Sequence, residues 1–578
     1  MRRTILVLAL LVAGCPEPAD PDPGETDPVD TDTDTDSDSD SDSDTDTDTD
    51  TDTDTDSDTT PPEDGVYFQP VSHLVGLTDL HWDVPRPFPT DCNGSDDNAA
   101  GAAVGDYDND GDLDIFFARF EEPSILYRNR GDGTFDDVTV DAGIETKGWP
   151  ASATWADVDD DGHLDLTLTY LHHGYLALYH NNGDGTFDLE TDARGLGTPD
   201  DKSNTCPMIW SAAYGDFDKD GDLDLATASW GVEVNNEEPV YNQLYENIGG
   251  GVFVDRTMQG GFTQDYELLT YTSGWADFDE DGWLDLALAS DFGTNELWFN
   301  NGDLTFRNGS QASGITTVEN AMGSVIADFD EDGHLDWFVT SIWEPREEFE
   351  NYWGSTGNRL YLGDGAGSFT EVSESAGVRD GMWAWGADAV DLENDGDLDL
   401  VVTNGRITGP RSAYLFEPFF DDPTRIWIND GALGFTDRAE SAHVLHDGQG
   451  RGIVPFDLEG DGDQDLLIVG FGEPLTLYRN DTVDVGHWLR VRIRLDDGPN
   501  RFGVGSTVWI KRTPDDPPRR REIDANSTFA AQGPIEAHIG LGDHDSPIHE
   551  VRIVFPDGSE KVLTDVDPDQ DLLITSKE

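Results

Sequence analysis

From residue 66 to residue 481 the chain alternates short apolar runs, rich in Ala, Val, Leu, Ile and aromatics, with clusters of Gly, Asn and Asp. The runs are too short for helices and are bounded by turn formers, so they are predicted to be β-strands. They also keep a fixed order. One run, as in AAGAAVGDY, SATWADV or WSAAYGDF, leads into an acidic cluster, and a second, as in LDIFFA, LDLTLTY, LDWFVTS or LDLVVTN, follows it. A third carries ILYRNRGDG, LALYHNNGDG or ELWFNNGD, and a fourth opens on Phe in GTFDDVT, GTFDLET or LTFRNGS. Four strands per unit, repeated, predict a closed propeller of four-stranded antiparallel blades. The last unit ends at LTLYRND without a Phe strand, whereas VYFQPVSHLVGL (66–77) resembles a fourth strand lacking its first three. The N-terminal strand is therefore predicted to complete the seventh blade, which hides both sheet edges.

Beyond about His487 the pattern tightens to strict alternation, as in Leu489-Arg490-Val491-Arg492-Ile493-Arg494-Leu495, with a turn at Pro556-Asp557-Gly558-Ser559. Short strands at this spacing predict a small sandwich or barrel. The expected fold is all-β: a seven-bladed β-propeller over 65–483 and a small β-sandwich or barrel over 484–578.

The first 64 residues belong to neither. Residues 1–15, MRRTILVLALLVAGC, set two arginines before an apolar run too short to span a bilayer, which reads as a signal peptide. Its end, Leu11-Val12-Ala13-Gly14-Cys15, resembles a bacterial lipobox, which makes Cys15 the expected site of lipid attachment and the outer membrane or cell surface the expected location. An ordinary cleaved signal peptide is the alternative. Residues 16–64 are almost wholly Pro, Thr, Ser, Asp and Glu, so no core can form there. A flexible chain of this length spans about 40 Å, and its charges extend it further, so it is read as a disordered tether.

Composition narrows the partners. With 33 Lys and Arg against 122 Asp and Glu, the net charge of −89 repels nucleic acid and anionic lipid headgroups. It also predicts bound cations, because so much like charge opposes compaction.

A nine-residue pattern, D-x-[D/E]-x-D-G-x-x-D, occurs seven times, starting at residues 106, 157, 216, 277, 328, 391 and 457. Positions 1, 3, 5 and 9 offer carboxylates, and position 7, too variable for a side-chain role, offers its backbone carbonyl. The predicted ligands are Asp106, Asp108, Asp110, Asp112 and Asp114; Asp157, Asp159, Asp161, His163 and Asp165; and Asp216, Asp218, Asp220, Asp222 and Asp224. Asp277, Asp279, Asp281, Trp283 and Asp285, then Asp328, Asp330, Asp332, His334 and Asp336, form the fourth and fifth sets. The last two are Asp391, Glu393, Asp395, Asp397 and Asp399, and Asp457, Glu459, Asp461, Asp463 and Asp465. An all-oxygen set of this kind suits calcium, and about seven ions are expected. The pattern is not an EF-hand, since position 12 is Phe117, Leu168, Thr227, Leu288, Val339, Val402 and Ile468 and never Glu.

Loop, N-x-G-D-G turn and Phe strand recurring together resemble the FG-GAP/VCBS repeats of integrin-type propellers. The stretches NRFGVGSTVWI, AAQGPIEAHIGLG and EVRIVFPDGSEKVL resemble an ASPIC/UnbV domain, the module that follows such repeats in the cartilage acidic protein family. The resemblance implies a calcium-bearing propeller and brings no catalytic motif. No G-x-S-x-G, C-x-x-C, H-E-x-x-H or phosphate loop occurs in the sequence either.

The leading expectation is a calcium-dependent surface module, a monomer that binds carbohydrate or protein and is held to the membrane by its lipid. The alternative is a secreted enzyme working at the channel mouth opposite the metal loops. Loops on that face carry Trp149, Trp230, Trp343, Trp353, Trp383 and Trp385, aromatics suited to sugar or peptide contact, about half of which are expected simply to pack the loops down. Arg519-Arg520-Arg521 reads as an exposed hairpin tip, or else as a patch for an acidic partner. Cys92 and Cys206 precede first strands; a disulfide across the mouth is one expectation, and free thiols or an intermolecular bridge the other.

Overall fold

The computed structural model describes residues 65–79 and 100–578, apart from 121, 147, 172–174, 198–207, 231–241, 263–268, 292, 316–317, 345–355, 406–418, 420–421 and 484. All of these lie in one compact unit, Thr60–Glu578. Among the described residues no helix is long and apolar enough to cross a membrane.

Seven four-stranded antiparallel sheets follow one another along the chain. Blade I comprises Gly101–Gly105, Asp114–Ala118, Ile125–Asn129 and Phe135–Asp137, and the same order recurs in blades II to VI. Blade VII joins Gly450–Phe456, Asp465–Gly470 and Thr476–Asn480 to the N-terminal strand Phe68–Pro70, which pairs antiparallel with Thr476–Asn480. The ring thus closes as the unpaired apolar run at 66–77 predicts.

Exposure falls from rim to axis. Fourth strands such as Phe135–Asp137 and Phe187–Leu189 bury their opening Phe and leave the residues after it half-buried or exposed, while the first strands are almost wholly buried, as in Gly101–Gly105 and Met208–Gly215. First strands crowd the axis, which favours small residues there. They are tied to each other by tryptophans: Trp155 Nε1 donates to Ala103 O at 3.3 Å and Trp275 Nε1 to Ala213 O at 3.1 Å, each reaching the preceding blade.

The C-terminal unit is a two-sheet sandwich. One sheet orders Ala537–Gly542, His487–Ile493 and Gln570–Ile574; the other orders Arg519–Ile523, Ser506–Lys511, Glu550–Val554 and Glu560–Leu563. The alternation read at 489–495 buries Leu489, Val491 and Ile493 in its core, and that core is continuous with the apolar core of blades I to III.

Between Arg519–Ile523 and Ala537–Gly542 the chain leaves the sandwich and enters the ring. Ala525 bridges to Tyr214 of blade III, the Asn526 side chain bonds Trp275 of blade IV, and Ser324 N of blade V donates to Thr528 O at 2.9 Å. Ala531–Gln532 then runs parallel to the first strand of blade I, extending that sheet to five strands. This finger fills the axial channel. Phe529, fully buried, lies at its turn among Trp210, Tyr271 and Trp385, with ring centroids 5.9, 5.6 and 5.4 Å away. Gly101 shows how close the fit is, since a Cβ there would stand 2.6 Å from Ala530 O.

Candidate metal centres and the axial finger

Each acidic loop joins the first strand of a blade to its second, and its conformation repeats seven times. Position 4 is left-handed in every copy: Asn109, Asp160, Lys219, Glu280, Glu331, Asn394 and Gly460 have φ between 52° and 73°. Position 6 is glycine with φ between 87° and 103°, as at Gly282 and Gly111, where a Cβ would be strained. Position 5 makes an Asx turn, its Oδ1 accepting from the position-7 N–H at 2.9 to 3.1 Å in all seven loops.

Position 9 carries a second duty that motif reading missed. Its Oδ2 accepts from the position-2 N–H, and its Oδ1 from a backbone N–H of the third strand. Asp114 thereby joins Tyr107 N to Asn129 N, and Asp465 joins Leu458 N to Asn480 N. The Asn of the N-x-G turn reaches further still. Asn247 Nδ2 donates to Val158 O and Asn300 Nδ2 to Phe217 O, both at 2.8 Å, stapling blades III and IV to the loops of the blades before them. Constant spacing between loop and turn was the available signal; only the blade geometry shows what it serves.

Carboxylates converge as the motif requires. Ligand atoms of Asp106, Asp108 and Asp114 lie within 4.8 Å of one another, as do those of Asp157, Asp159 and Asp161, of Asp216, Asp218 and Asp224, and of Asp277, Asp279 and Asp285. Burial pushes these carboxyls up: Asp114 to about 9, Asp157, Asp285 and Asp336 to about 8, Asp216 and Asp328 to about 7. Neighbouring loop carboxylates push in the same direction. Oδ1 of Asp106, Asp216, Asp277 and Asp328 is buried without a hydrogen bond. A buried oxygen acceptor left without a donor amid converging carboxylates fits a hard divalent cation.

Position-7 side chains point sideways. His163 Nδ1 lies 3.0 Å from Asn109 Nδ2, Lys219 Nζ sits 4.3 Å over the Trp283 ring, and His334 Nδ1 meets Glu280 Oε1 at 2.7 Å. Position 4 of one loop thus touches position 7 of the next.

The loop face is covered by the C-terminal sandwich. Arg519-Arg520-Arg521 is not an exposed hairpin tip but part of a strand whose guanidinium groups turn onto the loops. Arg519 Nη1 donates to Asp395 O at 3.0 Å, Arg520 Nη1 to Gly333 O at 3.0 Å and Arg521 Nη2 to Gly396 O at 2.7 Å. Arg492 Nη1 reaches Gly111 O at 3.3 Å, and Arg501 Nη1 reaches Asp161 O at 3.1 Å. The acidic partner of these arginines is the chain's own propeller. Strand alternation could not show this, because a surface Arg and an interface Arg share one pattern.

On the opposite face, Trp383 and Trp385 are buried and stacked on each other, packed inward toward Phe529. Trp149, half-buried, stacks on Phe120 with centroids 5.5 Å apart. Trp230, half-buried, stacks on Tyr271, and Trp343, half-buried, lies 4.5 Å under the Arg379 guanidinium. Cys15, Cys92, Cys206 and Trp353 lie outside the described residues.

Comparison with known proteins agrees with this organisation. Residues 106–168, 167–227, 277–339 and 351–402 match the FG-GAP-like repeat, and residues 496–578 match the ASPIC and UnbV family. Cartilage acidic protein 1 of Homo sapiens is 23% identical over 500 residues, covering 79% of this chain and 69% of its own length. Among solved structures, an Agrocybe aegerita lectin that recognises non-reducing terminal N-acetylglucosamine aligns with a TM-score of 0.39 at 17% identity, covering 68% of this chain and 92% of its own. The Dos1 propeller aligns with a TM-score of 0.36 at 10% identity, covering 84% and 96%.

Proposed function

From the premise that this chain carries FG-GAP-like repeats followed by an ASPIC and UnbV domain, we propose that it is a calcium-loaded interaction module, lipid-anchored at Cys15 on a bacterial surface, that binds carbohydrate or protein. The observation that carries this reading is the finger. With Phe529 buried under Trp210, Tyr271 and Trp385, the channel is packed with side chains toward the face where an axial active site was the alternative. With the loop face under the sandwich, the surface left for a partner is the opposite face. There the topology places half-buried Trp149, Trp230 and Trp343, which offer rigid apolar area with a polar edge.

Calcium on this reading is structural. The loops would hold it through the position-1, 3, 5 and 9 carboxylates and the position-7 carbonyl, and it would neutralise charge packed between propeller and sandwich. The acidic stretch at 16–64 would hold the body away from the membrane.

A glycan and protein array, probed with the soluble Cys15→Ser chain with and without calcium, tests the reading. Calcium-dependent retention, weakened by Trp230→Ala or Trp343→Ala at unchanged melting temperature, is expected. Release of product from an immobilised polymer, or no retention on any spot, would overturn it.

A further inference from the structure

The seven loops share one motif but not one environment. In blades I to V each loop holds at least one buried carboxylate oxygen that accepts no hydrogen bond: Oδ1 of Asp106, Asp159, Asp216, Asp277 and Asp328. Of these residues, Asp106, Asp216 and Asp328 are at most 6% exposed. In blades VI and VII no ligand-position carboxylate is left in that condition among the described residues.

Two further differences coincide with this one. Position 3 is Asp in blades I to V but Glu393 and Glu459 in VI and VII, one methylene longer. Position 1 in VI and VII is also claimed by the C-terminal sandwich. Asp391 accepts from Asp395 N at 3.0 Å and Gly396 N at 2.7 Å, and then from Gly540 N of the sandwich at 3.1 Å. Asp457 accepts from Gly460, Asp461 and Gly462 N–H at 2.7, 3.2 and 2.8 Å, and from Arg490 Nη1 at 3.2 Å. Arg490 cannot easily leave, because Asp571 grips it through Nε and through Nη2, the latter at 2.8 Å.

An oxygen that already accepts two N–H bonds has little left for a cation, and a guanidinium fixed on the position-1 carboxylate repels a second positive charge; in loop II Arg194 instead meets position 3, at Asp159 Oδ2 2.9 Å away, and leaves Asp159 Oδ1 without a donor. Where the oxygen has no donor, an entering cation breaks nothing and relieves a buried charge.

We propose that only the loops of blades I to V bind the divalent cation, while those of VI and VII are clasped by the C-terminal sandwich, with Arg490 as the permanent counter-charge of loop VII. The motif sequence is thus put to two uses in one ring: ion binding on five blades and domain docking on two. This rests on the calcium reading given above.

Native mass spectrometry of metal-free full-length protein, re-equilibrated with calcium, counts the ions directly. Five are expected. Asp216→Asn and Asp328→Asn should each lower the count by one, and Asp457→Asn and Asp391→Asn should leave it at five. A count of seven, or loss of an ion in Asp457→Asn, would overturn the division of the loops while leaving the calcium reading intact. A count of zero in every variant would remove the calcium reading and the division together.

Discussion

The Gln532 side-chain amide closes on both backbone groups of Trp155, Oε1 accepting from Trp155 N at 2.6 Å and Nε2 donating to Trp155 O at 3.1 Å. Asn526 repeats the arrangement on Trp275, at 2.8 and 3.1 Å. Two amides on one finger thus mimic β-pairing with the first strands of blades II and IV, where no further strand could fit. Either truncation, Gln532→Ala or Asn526→Ala, leaves buried backbone groups unpaired, each costing about 1–3 kcal/mol. Chemical denaturation should show lower midpoints for both.

Phe529 is the apolar counterpart of those amides. Replacing it with Ala should empty the space between Trp210, Tyr271 and Trp385 and destabilise the protein by about 3–5 kcal/mol, as for other buried Phe truncations. The same melt would show whether sandwich and propeller unfold together. A single transition is expected for both wild type and Phe529→Ala, because their apolar cores are continuous.

Chelation bears on the loops as a set. Starting from metal-free protein, added calcium should raise the melting temperature progressively as its concentration exceeds the dissociation constant. An unchanged melt between excess chelator and millimolar calcium would contradict a structural role for the ion.

A pH dependence comes from elsewhere. Asp388, on the first strand of blade VI, and Asp524, at the root of the finger, border a cavity of 190 Å³ together with Arg520, Arg521, Glu522, Glu536 and His538. Burial raises Asp388 to about 8 and Asp524 to about 6, and it lowers His538 to about 3, so that the imidazole is neutral across this range. Burial raises Glu536 as well and lowers Arg521, whereas Glu522 and Glu280 hold Arg520 above its ordinary value against burial. A carboxyl raised on folding binds its proton more tightly in the native state. Its contribution is therefore complete below about pH 4 and is lost as pH climbs toward 8. At saturating calcium, Asp388→Asn should match wild type near pH 4 and exceed it increasingly in stability as pH rises to 8. Equal midpoints at both pH values would refute the assignment.

Anchoring is separable from all of this. Cys15→Ser should move the protein from the membrane to the soluble fraction without altering its melt, as read by fractionation and calorimetry. Membrane retention of that variant would point to another attachment.

The blades could be read from the chain because what defines them is local. All ligand positions of a loop fall within nine residues, and strand, loop and turn recur at intervals of 51 to 66 residues, so seven copies expose the register that one copy could not. Even ring closure was legible, since the Phe68 strand lacked partners nearby and the seventh unit lacked a fourth strand. The finger, the clasp on loops VI and VII and the inward turn of Trp385 were not. Trp155 and Gln532 stand 377 residues apart, and Arg490 and Asp457 belong to different domains. An alternating strand records only that one side faces something apolar or crowded, and not what lies there. Which surface the arginines cover, and which loops they satisfy, was decided only when the sandwich came to rest on the ring.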